Sequence, residues 1–270
     1  MDTVSYLLGK KNSGGGSGSS DLNWKAIGYD SRPKAIDDGY DYAKEIQRTW
    51  EQSVDLTSKF ESNYPLTYLP LIDTSEATNM TNMFKGCYSL QEIPLINVSN
   101  VTNTSGMFTY CYSLRTIPKL DTSNVEYMNG MFSACFILEE VPELDTSKVM
   151  GMGSMFSNCF ILKEIPELDT SKVTAMNNMF AECSSLTTVP QLNTSSIVGS
   201  NAFSNMFKNC KNLTTTSLNN ILGMCIGATL YNGTKTLVKL GFNSTDYSAE
   251  TIQALPNYQN FINAGWTIGY

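Results

Sequence analysis

Apolar positions along most of this chain recur in a fixed phrase, Met-Phe-x-x-Cys-x-x-Leu, which appears six times between residues 66 and 213. Its cysteines, Cys87, Cys111, Cys135, Cys159 and Cys183, are each 24 residues apart, and Cys210 follows after 27. The prolines Pro70, Pro94, Pro118, Pro142, Pro166 and Pro190 keep the same beat. A short fixed period marks a solenoid, in which each unit buries its apolar face only against its neighbours. Such a stack grows in one dimension and builds surface, an architecture seldom used by enzymes.

One unit holds Leu138, Val141, Leu144, Val149, Met152, Met155, Phe156 and Cys159 as its apolar set. Pro142 is disfavoured inside a helix and biases its predecessor toward β, so Leu138 to Leu144 should be extended. Met-Phe-x-x-Cys has the 3 to 4 spacing of a short helix or 3₁₀ turn. Between the two lies Asp-Thr-Ser, a turn in which the Asp side chain can cap backbone N–H groups. The expected fold is an α/β repeat solenoid with one short strand and one short helix or 3₁₀ turn per 24-residue unit, with helical caps at both ends.

The pattern divides the chain into four parts. Residues 1–20 join a short apolar cluster (Val4 to Leu8) to the Gly/Ser run NSGGGSGSS, a flexible linker by composition. They read either as an anchor peptide on a tether or as a disordered tail. They lack the early positive charge and long apolar core of an ordinary signal peptide. Residues 21–65 form an N-terminal cap. Ile36, Tyr40, Ala43, Ile46 and Trp50 suit one helix face between Ala35 and Trp50. Phe60, Asn63 and Leu66 lie 24 residues before Phe84, Cys87 and Leu90, as a degenerate rung would. Residues 66–213 hold six repeats, the last with a three-residue insertion around Ser200 to Ala202 that should bulge locally. Residues 214–270 form a C-terminal cap with helices expected over Ser217 to Leu230 and Ser248 to Leu255, followed by an aromatic tail covering the last rung.

Charge and composition narrow the chemistry. A net charge of −7 argues against a phosphate-binding surface and hence against nucleic acid. No apolar run reaches the roughly 18 residues of a membrane span, so membrane insertion is not expected. Histidine is absent, which removes the commonest general base and metal ligand. No catalytic residue, cofactor or metal site is expected. Six of the seven cysteines occupy one repeat slot, and this placement with the odd total favours a ladder of buried thiols, although stacked rungs about 4.8 Å apart would also allow bridging. Asp73, Asp121, Asp145 and Asp169 could suggest calcium, but Asn97 and Asn193 share their slot and keep only the acceptor. A hydrogen bond is therefore the shared requirement.

The run LDTSKVTAMNNMFAECSSLTTVP (168–190) closely resembles the BspA-like leucine-rich repeats of bacterial surface proteins, over roughly Leu66 to Leu213. The opening VSYLLGKK and the ending NAGWTIGY resemble proteins encoded by phages and prophages of gut Firmicutes. These resemblances imply non-enzymatic recognition or adhesion, at a cell envelope or virion surface, of a host-cell surface protein or glycan. Residues 1–11 would then contact a phage particle component. A structural spacer or decoration protein is the alternative.

Comparing units separates constrained slots from free ones. The slot after Cys holds Tyr88, Tyr112, Phe136 and Phe160, then Ser184 and Lys211. These rings either pack between rungs or form an exposed stripe suited to sugar stacking or a protein hot spot. The slot after Pro holds Leu71, Leu95, Lys119, Glu143, Glu167 and Gln191, either a solvated face or an acidic strip for a cationic partner.

Overall fold

The computed structural model describes residues 55–64, 66, 67, 74–197, 201–228 and 235–269. The linker over 1–20, the helix expected from Ala35 to Trp50, and Leu71 and Asp73 lie outside the described residues. From Asp55 onward the chain winds into stacked rungs. Parallel bridges join Asp55, Asn79, Asn103, Tyr127, Gly151 and Ala175 in a single column.

The extended segment expected from Leu138 to Leu144 is not a strand, and the cross-rung bonding lies mainly elsewhere. Pro118, Pro142 and Pro166 recur in the same slot, so that level of the stack lacks N–H donors in rung after rung. Glu139 still donates to the Arg115 carbonyl at 2.9 Å, and Glu164 pairs with Thr188 in an isolated bridge.

The bonding runs instead through the Met-x-x-Met-Phe-x-x-Cys stretch, which is neither α nor 3₁₀ helix but a string of overlapping turns. Met131, Ser133 and Cys135 donate three residues back, to Met128, Gly130 and Phe132. The alternate residues donate to the next rung: Gly130 to Gly153 at 2.8 Å, Phe132 to Met155 at 2.9 Å and Ala134 to Ser157 at 2.7 Å. Two residues in each rung, four apart, take left-handed backbone that breaks a helix, such as Gly130 (φ 62) and Ala134 (φ 59). In other rungs these slots hold Asn82, Asn158, Asn178, Asn205 and Asn209, the residue type that tolerates this region best after glycine.

Burial explains why the apolar phrase is so regular. Met128, Met131, Phe132, Cys135 and Leu138 are all fully buried. The phenylalanines stack from Phe60 through Phe84, Phe108, Phe132, Phe156 and Phe180 to Phe207, with centroids 5.2 to 5.8 Å apart. All seven cysteines are free and buried. Each ladder thiol donates to the phenylalanine carbonyl one rung back, as Cys135 Sγ does to Phe108 O at 3.2 Å. Cysteine is small enough for the slot and brings a weak donor to a carbonyl already bonded by Cys111 N–H.

The ends close the ladder differently. Phe60 and Leu66 are buried, and Phe60 N–H donates to Met83 O at 2.8 Å, so the degenerate unit is bonded as a rung. At the other end a 3₁₀ turn over Leu237–Leu240 supplies the carbonyls that a further rung would offer. Asn205 N–H donates to Lys239 O and Phe207 N–H to Leu240 O, while Phe242 continues the ring column 5.7 Å from Phe207. Helix α1 (Thr215–Gly227) is capped by Thr214, and its Ser217 hydroxyl binds both Val189 N–H and Thr187 O. Helix α2 (Ala249–Gln253) is capped by Ser248. A further helix, α3 (Tyr258–Asn263), forms within the segment expected only as an aromatic tail and packs on α1.

Across the insertion, residues 198–200 lie outside the described residues, yet the ladder resumes in step: Met176 N–H donates to Ala202 O and Asn178 N–H to Ser204 O. Phe203 takes the slot of the first methionine and packs against Trp266. None of the described helices is long and apolar enough to cross a membrane.

Candidate functional site

The slot after Cys becomes a column of stacked rings. Tyr88 and Tyr112 lie 4.6 Å apart, Tyr112 and Phe136 4.4 Å, and Phe136 and Phe160 4.9 Å, with planes within 28° of parallel. The structure therefore brings together all four residues singled out in the sequence. It adds Tyr64, stacked on Tyr88 at 4.5 Å, and Tyr110, edge-on to Tyr112 at 6.2 Å. Packing and exposure are not alternatives here. The rings pack on one another and still present their outer rims to solvent, with Tyr64 49%, Tyr88 37% and Phe160 38% exposed. Tyr64 lies one period before Tyr88 and was legible by counting back. Tyr110 occupies a left-handed turn position (φ 64) and has no periodic signature.

Solvent is excluded from ring faces inside this column. Burial in the stack raises the Tyr88 phenol above its ordinary value, with the Tyr64 and Tyr112 phenols adding to the effect. The Tyr88 hydroxyl therefore stays protonated and able to donate at neutral pH.

The slot after Pro forms a second column that is exposed throughout, from Leu95 through Lys119, Glu143 and Glu167 to Gln191. Lys119 Nζ and Glu143 Oε2 pair at 3.4 Å, fully in solvent reach. A shallow groove of about 790 Å³ runs beside them, floored by Leu120 and Leu144 and edged by Asp121, Asp145 and Glu167. The structure thus places Lys119, Glu143 and Glu167 together, apart from the four rings in repeat position.

The Asp-Thr-Ser turns are structural. Asp121, Asp145, Asn97 and Asn193 each accept the N–H and hydroxyl of the Ser two residues on. The same bonds hold the carboxyls of Asp121 and Asp145 below their ordinary value. The buried Thr then stitches rungs, Thr146 Oγ1 donating to Asp169 O at 3.0 Å. Among the described residues no cluster of three or more metal-ligating side chains occurs. The thiols are shielded. Burial pushes Cys87 and Cys183 up to about 12 and holds Cys111, Cys135, Cys159 and Cys210 well above the ordinary range.

A protein-family profile described as "Mycoplasma protein of unknown function, DUF285" matches residues 54–163 and again 136–221. The chain belongs to the DUF285 family. Its matched span takes in the rungs from Asp55 onward and ends within α1. Among solved structures, the leucine-rich repeat protein TpLRR of T. pallidum shares 20% identity with a TM-score of 0.51, covering 67% of this chain and 79% of that one. A leucine-rich repeat protein from Eubacterium ventriosum shares 18% identity with a TM-score of 0.36, covering 48% of this chain and 34% of that one. No curated protein matches the sequence. The likeness to TpLRR shows that the DUF285 chain shares the repeat solenoid fold of that protein.

Proposed function

We propose that this DUF285 protein is a non-enzymatic, surface-displayed recognition module, similar in role to BspA-like repeat proteins, and that its solenoid contacts a host-cell surface. One observation carries this reading: five rings, Tyr64, Tyr88, Tyr112, Phe136 and Phe160, stack into a continuous and partly solvated column on one side of the rungs. Ordinary surfaces rarely expose contiguous apolar patches without use, and rigid aromatics are the commonest binding hot spots. Residues 1–11, followed by the Gly/Ser linker, would tether the module to a phage particle or an envelope component.

A second reading has its own support. The rings hold one another, so rung cohesion alone would account for them, and the protein would be a spacer or decoration of a particle. Fluorescent full-length and Δ1–20 proteins, titrated on intact bacterial cells, separate the two. Recognition predicts saturable binding by both. Absence of saturable binding by either supports the spacer. Incorporation of Δ1–20 protein into particles at the full-length level would refute the tether.

A further inference from the structure

The rung spacing dictates which parts of the exposed rings a partner can touch. In the column Tyr64–Tyr88–Tyr112–Phe136–Phe160 the centroids are 4.4 to 4.9 Å apart. At that spacing both faces of Tyr88, Tyr112 and Phe136 are covered by their neighbours. A sugar stacks its slightly positive C–H groups on the electron-rich face of a ring, and along most of this column no such face is free. What solvent meets is a row of ring rims and phenol hydroxyls, widened by the half-exposed Ile161. A ridge of this kind is matched by aliphatic side chains and by hydrogen-bond acceptors.

Charge beside the ridge is one-sided. Three and four residues after the column positions stand Glu92, Glu139, Glu140 and Glu164, all exposed, against two cations, Arg115 and Lys163. Arg115 is already paired with Glu139, which leaves Glu92, Glu140 and Glu164 against Lys163. Lysine and arginine side chains can lay their aliphatic stems along apolar surface while their charged heads reach beyond it. A basic polypeptide segment would satisfy both halves of this surface, stems on the ring rims and heads on the carboxylates. Complementary charge of this sort also steers association.

Resting on the recognition role proposed above, we infer that the aromatic column is a protein-docking ridge whose partner is a Lys/Arg-bearing polypeptide segment, not a glycan. The rung that carries Ser184 in the ring slot shows that serine fits there. Tyr88→Ser combined with Phe160→Ser therefore takes an inner and a terminal ring out of the ridge with little risk to folding. Glu92→Gln with Glu140→Gln and Glu164→Gln removes the charge without touching the ridge.

The full-length protein is selected against a displayed random peptide library and, separately, applied to an array of bacterial and mucosal glycans. The expected result is enrichment of peptides carrying Lys or Arg beside aliphatic residues. Their affinity should fall about thirtyfold or more in the double serine variant. It should also fall severalfold in the triple glutamine variant and with rising salt. Glycan binding that the serine substitutions abolish would overturn the protein-docking inference while leaving the recognition role standing. Enriched peptides without basic residues would overturn the cationic partner. Peptide and glycan binding both unaffected by the serine substitutions would overturn the recognition role of the column itself.

Discussion

A cysteine in this protein carries two duties, filling a gap between rungs and donating to a phenylalanine carbonyl. Both depend on the protonated thiol, which burial favours. Burial pushes the folded thiols of Cys87 and Cys183 up to about 12, against an ordinary 9.0. A group that binds its proton more tightly when folded contributes stability that is full below its unfolded value and is lost as pH rises toward the folded one. Urea midpoints should therefore hold steady through neutral pH and fall between about pH 9 and 12, with Tyr247, also raised to about 12, adding to the decline. Under native conditions the thiols should resist alkylation until the protein unfolds; rapid labelling of the folded protein would contradict the ladder. The packing slots can be tested separately. Phe156→Ala removes one ring from the inner column and should cost about 3–5 kcal/mol. Glu143→Ala, at an exposed position, should stay within about 0.5 kcal/mol. Chemical denaturation of the two variants decides whether the assigned core and surface positions are right.

At the scale of the element, the apolar spacing of Met128, Met131, Phe132 and Cys135 located the buried side chains correctly but suggested the wrong backbone. Spacing of 3 and 4 is shared by a helix and by a turn string in which each rung hands alternate N–H groups to the next. The distinguishing signal lay in the polar positions between, where Asn, Gly and Ser recur in left-handed slots. The proline beat was legible too. Its consequence, that one level of the stack lacks donors and forms no strand, follows only once the rungs are known to be in register. Conformational demand and crowding separate at two glycines. At Gly106 (φ 66) a Cβ would press on the Asn82 side chain, whereas at Gly130 (φ 62) it meets only ordinary contacts. Gly106→Ala should destabilise the protein by about 1–2 kcal/mol or more. Gly130→Asn should be nearly neutral, because Asn82, Asn178 and Asn205 occupy the same slot elsewhere. Thermal melts of the pair measure the difference, and equal losses would mean that the turn geometry is misassigned.

For the whole molecule, the repeat period was enough to define a solenoid and the residues that share each column. Periodicity told that Tyr88, Tyr112, Phe136 and Phe160 align, but not that stacking hides their faces while exposing their rims, because that depends on rung spacing and ring tilt. The cap was less legible. Helix α3 lies in an aromatic-rich tail without clear amphipathic spacing, and its place is set by packing on α1. The substitution of a 3₁₀ turn for a further rung left no periodic trace in the sequence at all. A protein with this form offers one long side of stacked rings as its most distinctive surface, and that side is the core of the functional account. The most direct test is saturation binding of fluorescent wild-type protein and of the Tyr88→Ser/Phe160→Ser variant to the same intact bacterial cells. The account predicts saturable binding by the wild type and its loss, about thirtyfold or more in affinity, in a variant that melts at a nearly unchanged temperature. Equal binding by the two proteins would contradict it.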